Sequence, residues 1–477
     1  MKNSRLYKTI STNHGANLKP VLVYILPVIA IILTLSSLTS CKKLIDIKPS
    51  TTAQLGSEVY TDSASVQAVI SGMYGKLSVL STTQSYRSSI STLSGFSADE
   101  LNYVGSSYDQ FINNAIPVTD TNVGDIWSNS YSTIYVANSL IEGVTQSSSI
   151  SVQFKNQAIA EAEFIRSFCY FYLANLYGDV PLVLTTNVAT NAVMARTPVA
   201  TIYTQLIADL KSAQSILPAD YSISGNARTR ANKWIVTALL ARIELYNKNW
   251  SAAETQSDAI IANTTLFSLS TDLTKVFTPG NTEAIWQFYN DATGYTAYAG
   301  TVLPNAVTRI PTYVLTTGLV NAFETGDKRM AAWTASLVYN GTTYYYPYKY
   351  KSVTTGANAE YYTIFRLAEM YLIRAEARAE QSNISGAQAD LSVIRNRAGL
   401  PNTTAGDQAS ILLAIEQERR IELNNEWGHR WLDLKRTGRA NAVIGALKPT
   451  WNSTAELFPI PSVEITNNPN LTQNPGY

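Results

Sequence analysis

The chain has 477 residues, 45% of them hydrophobic and only 15% charged, which supplies ample core material and excludes global disorder. Lys and Arg number 36 against 35 Asp and Glu, a balance that argues against a nucleic-acid binder, whose affinity comes largely from neutralising phosphates. Two Cys and two His exclude a disulfide framework and a Cys-rich zinc site, while 29 Tyr against 12 Phe point to a surface that meets neutral, hydroxyl-rich ligands or protein partners.

In chain order, a basic lead (Lys2, Arg5, Lys8, Lys19) precedes an uncharged apolar run from Val21 to Leu38. That length is near the threshold for a transmembrane helix, but basic lead, apolar run and small residues also define a signal peptide. Leu38-Thr39-Ser40-Cys41 decides between them, because it looks like a bacterial lipobox. Cys41 is then the lipid-attachment residue, residues 1–40 are removed, and 41–56 form a lipidated tether. Multiple acyl chains give stable anchoring where one gives only marginal binding. The mature chain keeps one His, His429, and one unmodified Cys, Cys169. Any Ser-His-Asp or Cys-His device must therefore use His429, and Cys169, in an apolar run, reads as a small core residue. No cofactor and no metal is expected.

The spacing of apolar residues predicts a helix over 57–80, a Ser/Gly/Asn-rich loop region with scattered aromatics over 81–125, and helices at 125–145, 153–177, 198–216, 229–248 and 251–263. Residues 264–358 change character, with a β-like run at Glu283–Tyr289 and many tyrosines in turns. Helices return over 361–381, 384–397, 408–424 and 428–438. Ala241 and Ala253 stand at the same separation as Ala375 and Ala387, so two helix pairs carry small residues where paired helices approach closely, as in tetratricopeptide-like repeats. The charged stretch Glu416–Asp433 reads as a structural network. Glu426 and His429 have the spacing of a di-iron ligand pair, but a single His cannot supply the second copy. Glu426 and Arg430 read as an i, i+4 ion pair.

Several segments together carry a family resemblance: Cys41 to Asp46 behind the lipobox, Ala160 to Pro181, Tyr362 to Ala379, Ile394 to Leu400, Ile415 to Arg436, Leu457 to Pro461 and the Gln473-Asn474-Pro475-Gly476-Tyr477 tail. From Cys41 to Tyr477 the chain resembles the SusD (RagB/SusD-like) family of outer-membrane nutrient-binding lipoproteins. The resemblance implies a mainly α fold: a single helical body over 57–477 with tetratricopeptide-like pairs, long loops and a few short β-strands. Residues 81–125 and 264–358 then face ligand or partner, and 361–440 form the C-terminal scaffold. It implies a non-enzymatic protein at the outer membrane that captures glycan, or in some branches peptide, for a SusC-like TonB-dependent transporter.

Sugar capture needs aromatic rings for the C–H faces of pyranoses and planar polar groups for the hydroxyls. In loop context, 96–111, 289–298 and 344–350 have that mix. The stacking candidates are Tyr103, Tyr108, Tyr295 and Tyr298, with Asp99, Asn102 and Asn290 as hydrogen-bonding partners. A peptide-binding lid is the alternative. A glycoside hydrolase is the third reading, since Asp99 and Glu100 supply two carboxylates of the kind such a site needs.

Overall fold

The computed structural model describes residues 59–78, 90–289, 295–306, 309–354 and 360–477. Residues 1–40, Cys41, the 41–56 tether and Asn290 lie outside the described residues.

Helices start where polar side chains satisfy the first free amides. Asp120 accepts from the amides of Asn122 and Val123 to open Thr121–Gln146, Ser151 accepts from Phe154 to open Val152–Tyr177, and Asn232 accepts from Trp234 and Ile235 to open Lys233–Tyr246. Asp407 and Ser410 form a reciprocal capping box at the start of Gln408–Glu422. Gly178, at φ 77°, stops the 152–177 helix. The remaining long helices are Ser63–Ser78, Val199–Ile216, Trp250–Ile261, Leu367–Glu380 and Ile384–Arg397, so the architecture is mainly α.

Two expectations fail locally. Within the expected 81–125 loop, Ile90–Ser97 is a helix buried on every side, so this stretch is core. Its Ser and Thr residues disguise it, since Ser91, Thr92, Ser94 and Ser97 are as hidden as Leu93 and Phe96. The expected helix over 361–381 begins instead as a strand, β6 (Tyr362–Arg366), all five residues of which are buried. It pairs antiparallel with β2 (Ala284–Phe288). A strand covered on both faces shows no alternation to read.

The helix pair 233–246 and 250–261 packs against the pair 367–380 and 384–397 through the 250–261 and 367–380 helices. Ala241, Ala253, Ala375 and Ala387 are all fully buried, which is what close approach of paired helices requires. A central aromatic core joins scaffold to sheet: Phe168 lies edge-on to Trp286 at 5.1 Å and to Trp427 at 5.5 Å, and Trp286 reaches Phe365 at 5.6 Å. Two further two-stranded sheets decorate the body: β1 (Leu101–Tyr103) with β3 (Tyr313–Leu315), and the hairpin β4 (Thr334–Tyr339) with β5 (Thr342–Pro347).

Buried charges pin the C-terminal helices to these strands. Arg366 is bonded to Glu283 at 3.1 Å, Glu422 at 2.5 Å and Glu426 at 2.8 Å. Arg329 reaches Asp327, Glu418 and Glu422, and Arg397 reaches Glu283 and Glu422. Burial alone would raise the Glu422 carboxyl, but Arg397, Arg366 and Arg329 hold it well below the ordinary carboxylate range. The expected Glu426–Arg430 pair does not form. The 408–422 helix ends before Glu426, and Asn425, Trp427 and Gly428 all adopt positive φ. Glu426 turns inward to Lys349 and Arg366, while Arg430 takes Asp99 and Glu416. His429 is buried; burial with Arg242 beside it depresses its pKa far below the usual imidazole value, so the ring is neutral. Among the described residues no cluster of metal-ligating side chains occurs and no helix is long and apolar enough to cross a membrane.

Candidate aromatic binding face

Two groups of tyrosines reach the surface from one buried frame. The first is built on β1. Alternation along the strand buries Leu101, exposes Asn102 and leaves Tyr103 half-buried. Register with β3 sets Tyr103 opposite Tyr313, with ring centroids 5.3 Å apart. Tyr108 lies 4.9 Å from Tyr103 and 5.0 Å from Phe96. Tyr313 and Tyr108 are buried, so Tyr103 is the outer ring, held edge-on by two neighbours. Gly105, at φ 137°, lets the chain turn close over that ring; a Cβ there would stand 3.1 Å from the Tyr103 ring.

The second group sits where β2 ends and β6 begins. Tyr289 is 64% exposed and meets Tyr361 edge-to-face at 5.4 Å. The residue after Tyr361 is Tyr362, whose hydroxyl bonds Ser91 Oγ at 2.6 Å and whose ring lies 5.5 Å from Tyr298. The 90–97 helix, the short helix Ala297–Val302 and β6 therefore meet beneath the surface. Tyr295 is half-buried and leans on that short helix, where a Cβ at Gly300 would stand 3.3 Å from its ring.

The sequence-derived candidates thus separate. Tyr103, Asn102 and Tyr295 have surface to offer, and Asn290 is outside the described residues. Tyr298 is 2% exposed, packed edge-on to Tyr350 and tilted against Tyr362, and its hydroxyl has no hydrogen-bond partner. Tyr108 supports Tyr103 from below. Asp99 is not a free acceptor: Arg430 donates to it at 2.8 Å and Arg420 pairs with it at 2.7 Å. Burial raises its carboxyl, but these two cations win and hold it below its ordinary value. Glu100 is buried too. Burial and the charge of Asp99 push it up to about 8, outweighing the Asn425 amide at 3.3 Å and the charges of Arg430 and Lys349. The two carboxylates are therefore structural groups under the strand, not a pair open to a glycosidic bond. Tyr289 and Tyr361 were not among the candidates. Tyr289 lies at the edge of the 289–298 segment, and the signal for it was its place just past an apolar run.

This arrangement defines a class: a helical-repeat scaffold that carries an aromatic face on inserted loops and short strands. Residues 246–477 match the model of the SusD family, and residues 46–245 match a related model described as starch-binding and associating with the outer membrane. The chain belongs to the SusD family. A curated relative, SusD-like protein P25 of Formosa agariphila, is 27% identical over 76% of this chain and 81% of its own length. A SusD superfamily protein of Parabacteroides distasonis superposes with a TM-score of 0.75 at 22% identity, over 87% of this chain and 99% of the other. A laminarin-binding SusD-like protein superposes with a TM-score of 0.71 at 24% identity, over 88% and 100% of the two chains.

Proposed function

We propose that this protein captures oligo- or polysaccharide at the cell surface, anchored in the outer membrane by lipid on Cys41, and passes it without chemistry to a SusC-like TonB-dependent transporter. The observation that carries the reading is the Tyr289–Tyr361 pair, a 64% exposed ring braced by a second one at 5.4 Å. A large exposed aromatic braced in this way offers a platform for the C–H face of a sugar ring. Tyr103 and Tyr295 extend the platform, and Asn102 and Asn290 supply planar amides for sugar hydroxyls. Asp99, Tyr108 and Tyr298 hold the platform from below. Membership of the SusD family and a laminarin-binding neighbour of the same fold support the glycan reading. The burial of Asp99 in ion pairs supports capture over hydrolysis.

The test is calorimetric titration of the chain from Lys42 onward with laminarin, starch, an acidic polysaccharide and a peptide digest, with new reducing ends measured in the same mixtures. Binding to a polysaccharide without new ends, weakened by Tyr289→Ala, supports capture. Binding to peptides alone favours the peptide-lid alternative, and new reducing ends favour hydrolysis.

A further inference from the structure

The β4–β5 hairpin leaves the outer edge of β4 unpaired. Asn340 and Gly341, both at positive φ, close the hairpin as a two-residue turn of the type that bonds the flanking pair, Tyr339 and Thr342, to each other. Main-chain groups alternate along an antiparallel ladder, so Ala335, Leu337 and Tyr339 bond inward to β5, while Ser336 and Val338 point outward. Two bonds fix this parity. Tyr348 donates its amide to Trp333 across the ladder, and Thr334 donates its own to Met330, in the helix Lys328–Trp333 that leads into β4. Among the described residues none accepts from the outward amide of Ser336 or Val338. Both residues are exposed, Val338 by 64%. Proteins blunt such an edge with Lys, Pro or a bulge. β4 has none of these: no charged residue occurs from Thr334 to Pro347, no Pro interrupts β4, and its register with β5 is unbroken.

Beside this edge, where Met330 lies, a groove of about 500 Å³ runs between the hairpin and an apolar wall of Val320, Phe323 and Met330. Thr334, Ser336 and Tyr345 form its hairpin side, and the register puts all three on the sheet face that also carries Val338. Alternating donors and acceptors along an edge are matched by another extended strand. β4 itself is such a strand. Pairing it with its own copy about a two-fold axis at Leu337 sets Ser336 of each copy opposite Val338 of the other. Those are the outward-pointing residues, so each such pair exchanges both main-chain hydrogen bonds. Opposed residues share a face, so the exposed Val338 of one copy lies beside Ser336 of the other, at the groove that Phe323 and Met330 line. The uncharged hairpin and a net charge of +1 set no repulsion against the approach of two copies. We propose that β4 pairs antiparallel with β4 of a second copy in this register, joining the two hairpins into one sheet. Such an interface is isologous, the same patch serving on both copies. It uses none of the exposed residues of the tyrosine face and stands or falls separately from glycan capture.

Gly56–Tyr477 is one compact unit, so the experiment uses the chain from Lys42 onward, free of Cys41 and of detergent micelles. Sedimentation equilibrium over about 1–500 µM compares wild type with Val338→Lys, whose exposed position leaves the melting temperature unchanged. Leu337→Cys and Thr343→Cys are each treated with a mild oxidant; Cys169 is buried and does not compete. Opposed residues that exchange no hydrogen bonds stand about 4.5 Å apart at Cα, within disulfide reach, so Leu337→Cys meets its own copy across the axis. Thr343 lies on β5, one strand further out. The expected result is a wild-type dimer that grows with concentration, is lost in Val338→Lys, and is trapped by oxidation of Leu337→Cys but not of Thr343→Cys. A wild type that stays monomeric throughout overturns the proposal, as does a dimer that persists in Val338→Lys or cross-linking that is equal in the two cysteine variants. A monomer that instead retains peptides from a casein digest, and loses them in Val338→Lys, also overturns it and gives the edge to a foreign strand.

Discussion

Replacing Glu422 by Gln tests whether the buried charge network holds the scaffold to the sheet that carries the aromatic face. Glu422 is fully buried and touches three guanidiniums, those of Arg329, Arg366 and Arg397. The amide keeps the shape but leaves a positive charge uncompensated at a position closed to bulk solvent. Removing one partner of a buried pair costs about 3–5 kcal/mol. The unit Gly56–Tyr477 unfolds with roughly 0.9 kcal/mol of entropy per kelvin at ~2.1 cal/mol/K per residue, so the melting temperature falls by about 3–6 °C. The loss depends on pH with a definite sign. Arg397, Arg366 and Arg329 overcome the effect of burial and hold the folded-state pKa of Glu422 well below 4.5, so its contribution is present above the unfolded value and is lost as pH falls through the folded one. Calorimetry at neutral pH should show the full gap between wild type and Glu422→Gln, and the gap should close in acid. A variant that melts within a degree of wild type at neutral pH would refute the reasoning, because the network would then contribute no net stability.

Glu100 carries the opposite sign. Burial and Asp99 push it up to about 8, so ionising it between its unfolded value and about pH 8 costs stability. Glu100→Gln should therefore melt progressively higher than wild type as pH rises from 5 to 8, read by thermal unfolding across that range; a constant difference contradicts it. Cys169 is fully buried and burial raises its thiol well above the usual value. It should resist alkylation by iodoacetamide at neutral pH in the folded chain and react once guanidinium unfolds it, and prompt labelling of native protein would refute its burial. Tyr289→Ala removes an exposed ring and should leave the melting temperature unchanged while weakening glycan binding by about tenfold or more.

Where periodicity governs, structure follows pattern closely. The expected 384–397 helix is observed as Ile384–Arg397, because Ala387, Leu391 and Ile394 line one face behind an Asn383 cap. Where both faces are covered, pattern fails. Tyr362–Arg366 presents no alternation and merges into the helix that follows, and Ile90–Ser97 buries hydroxyls in a core, where Ser91 bonds the distant Tyr362 while Ser94 and Ser97 Oγ have no partner among the described residues. Glu426 and Arg430 have helical spacing, but the positive-φ turn at Asn425–Gly428 separates them, a break set by the Lys349 and Arg366 partners that Glu426 finds elsewhere in the fold. In the candidate site, abundance of tyrosine was legible but orientation was not. Tyr289 and Tyr298 sit nine residues apart in the same Tyr-rich segment, yet one is 64% exposed and the other 2%. Which ring faces out depends on where β2 ends and where the Ala297–Val302 helix packs on Tyr350 and Tyr362, contacts that cross tens of residues.

The measurement closest to the central claim is titration of the chain from Lys42 onward with laminarin, starch and an acidic polysaccharide, repeated with Tyr289→Ala, Tyr103→Ala and Asn102→Ala. The account predicts saturable binding to at least one polysaccharide, no new reducing ends, and loss of affinity in these variants at unchanged melting temperature. Unaltered glycan affinity in all three variants would contradict the placement of the site on the tyrosine face, and the absence of any glycan binding would contradict capture itself.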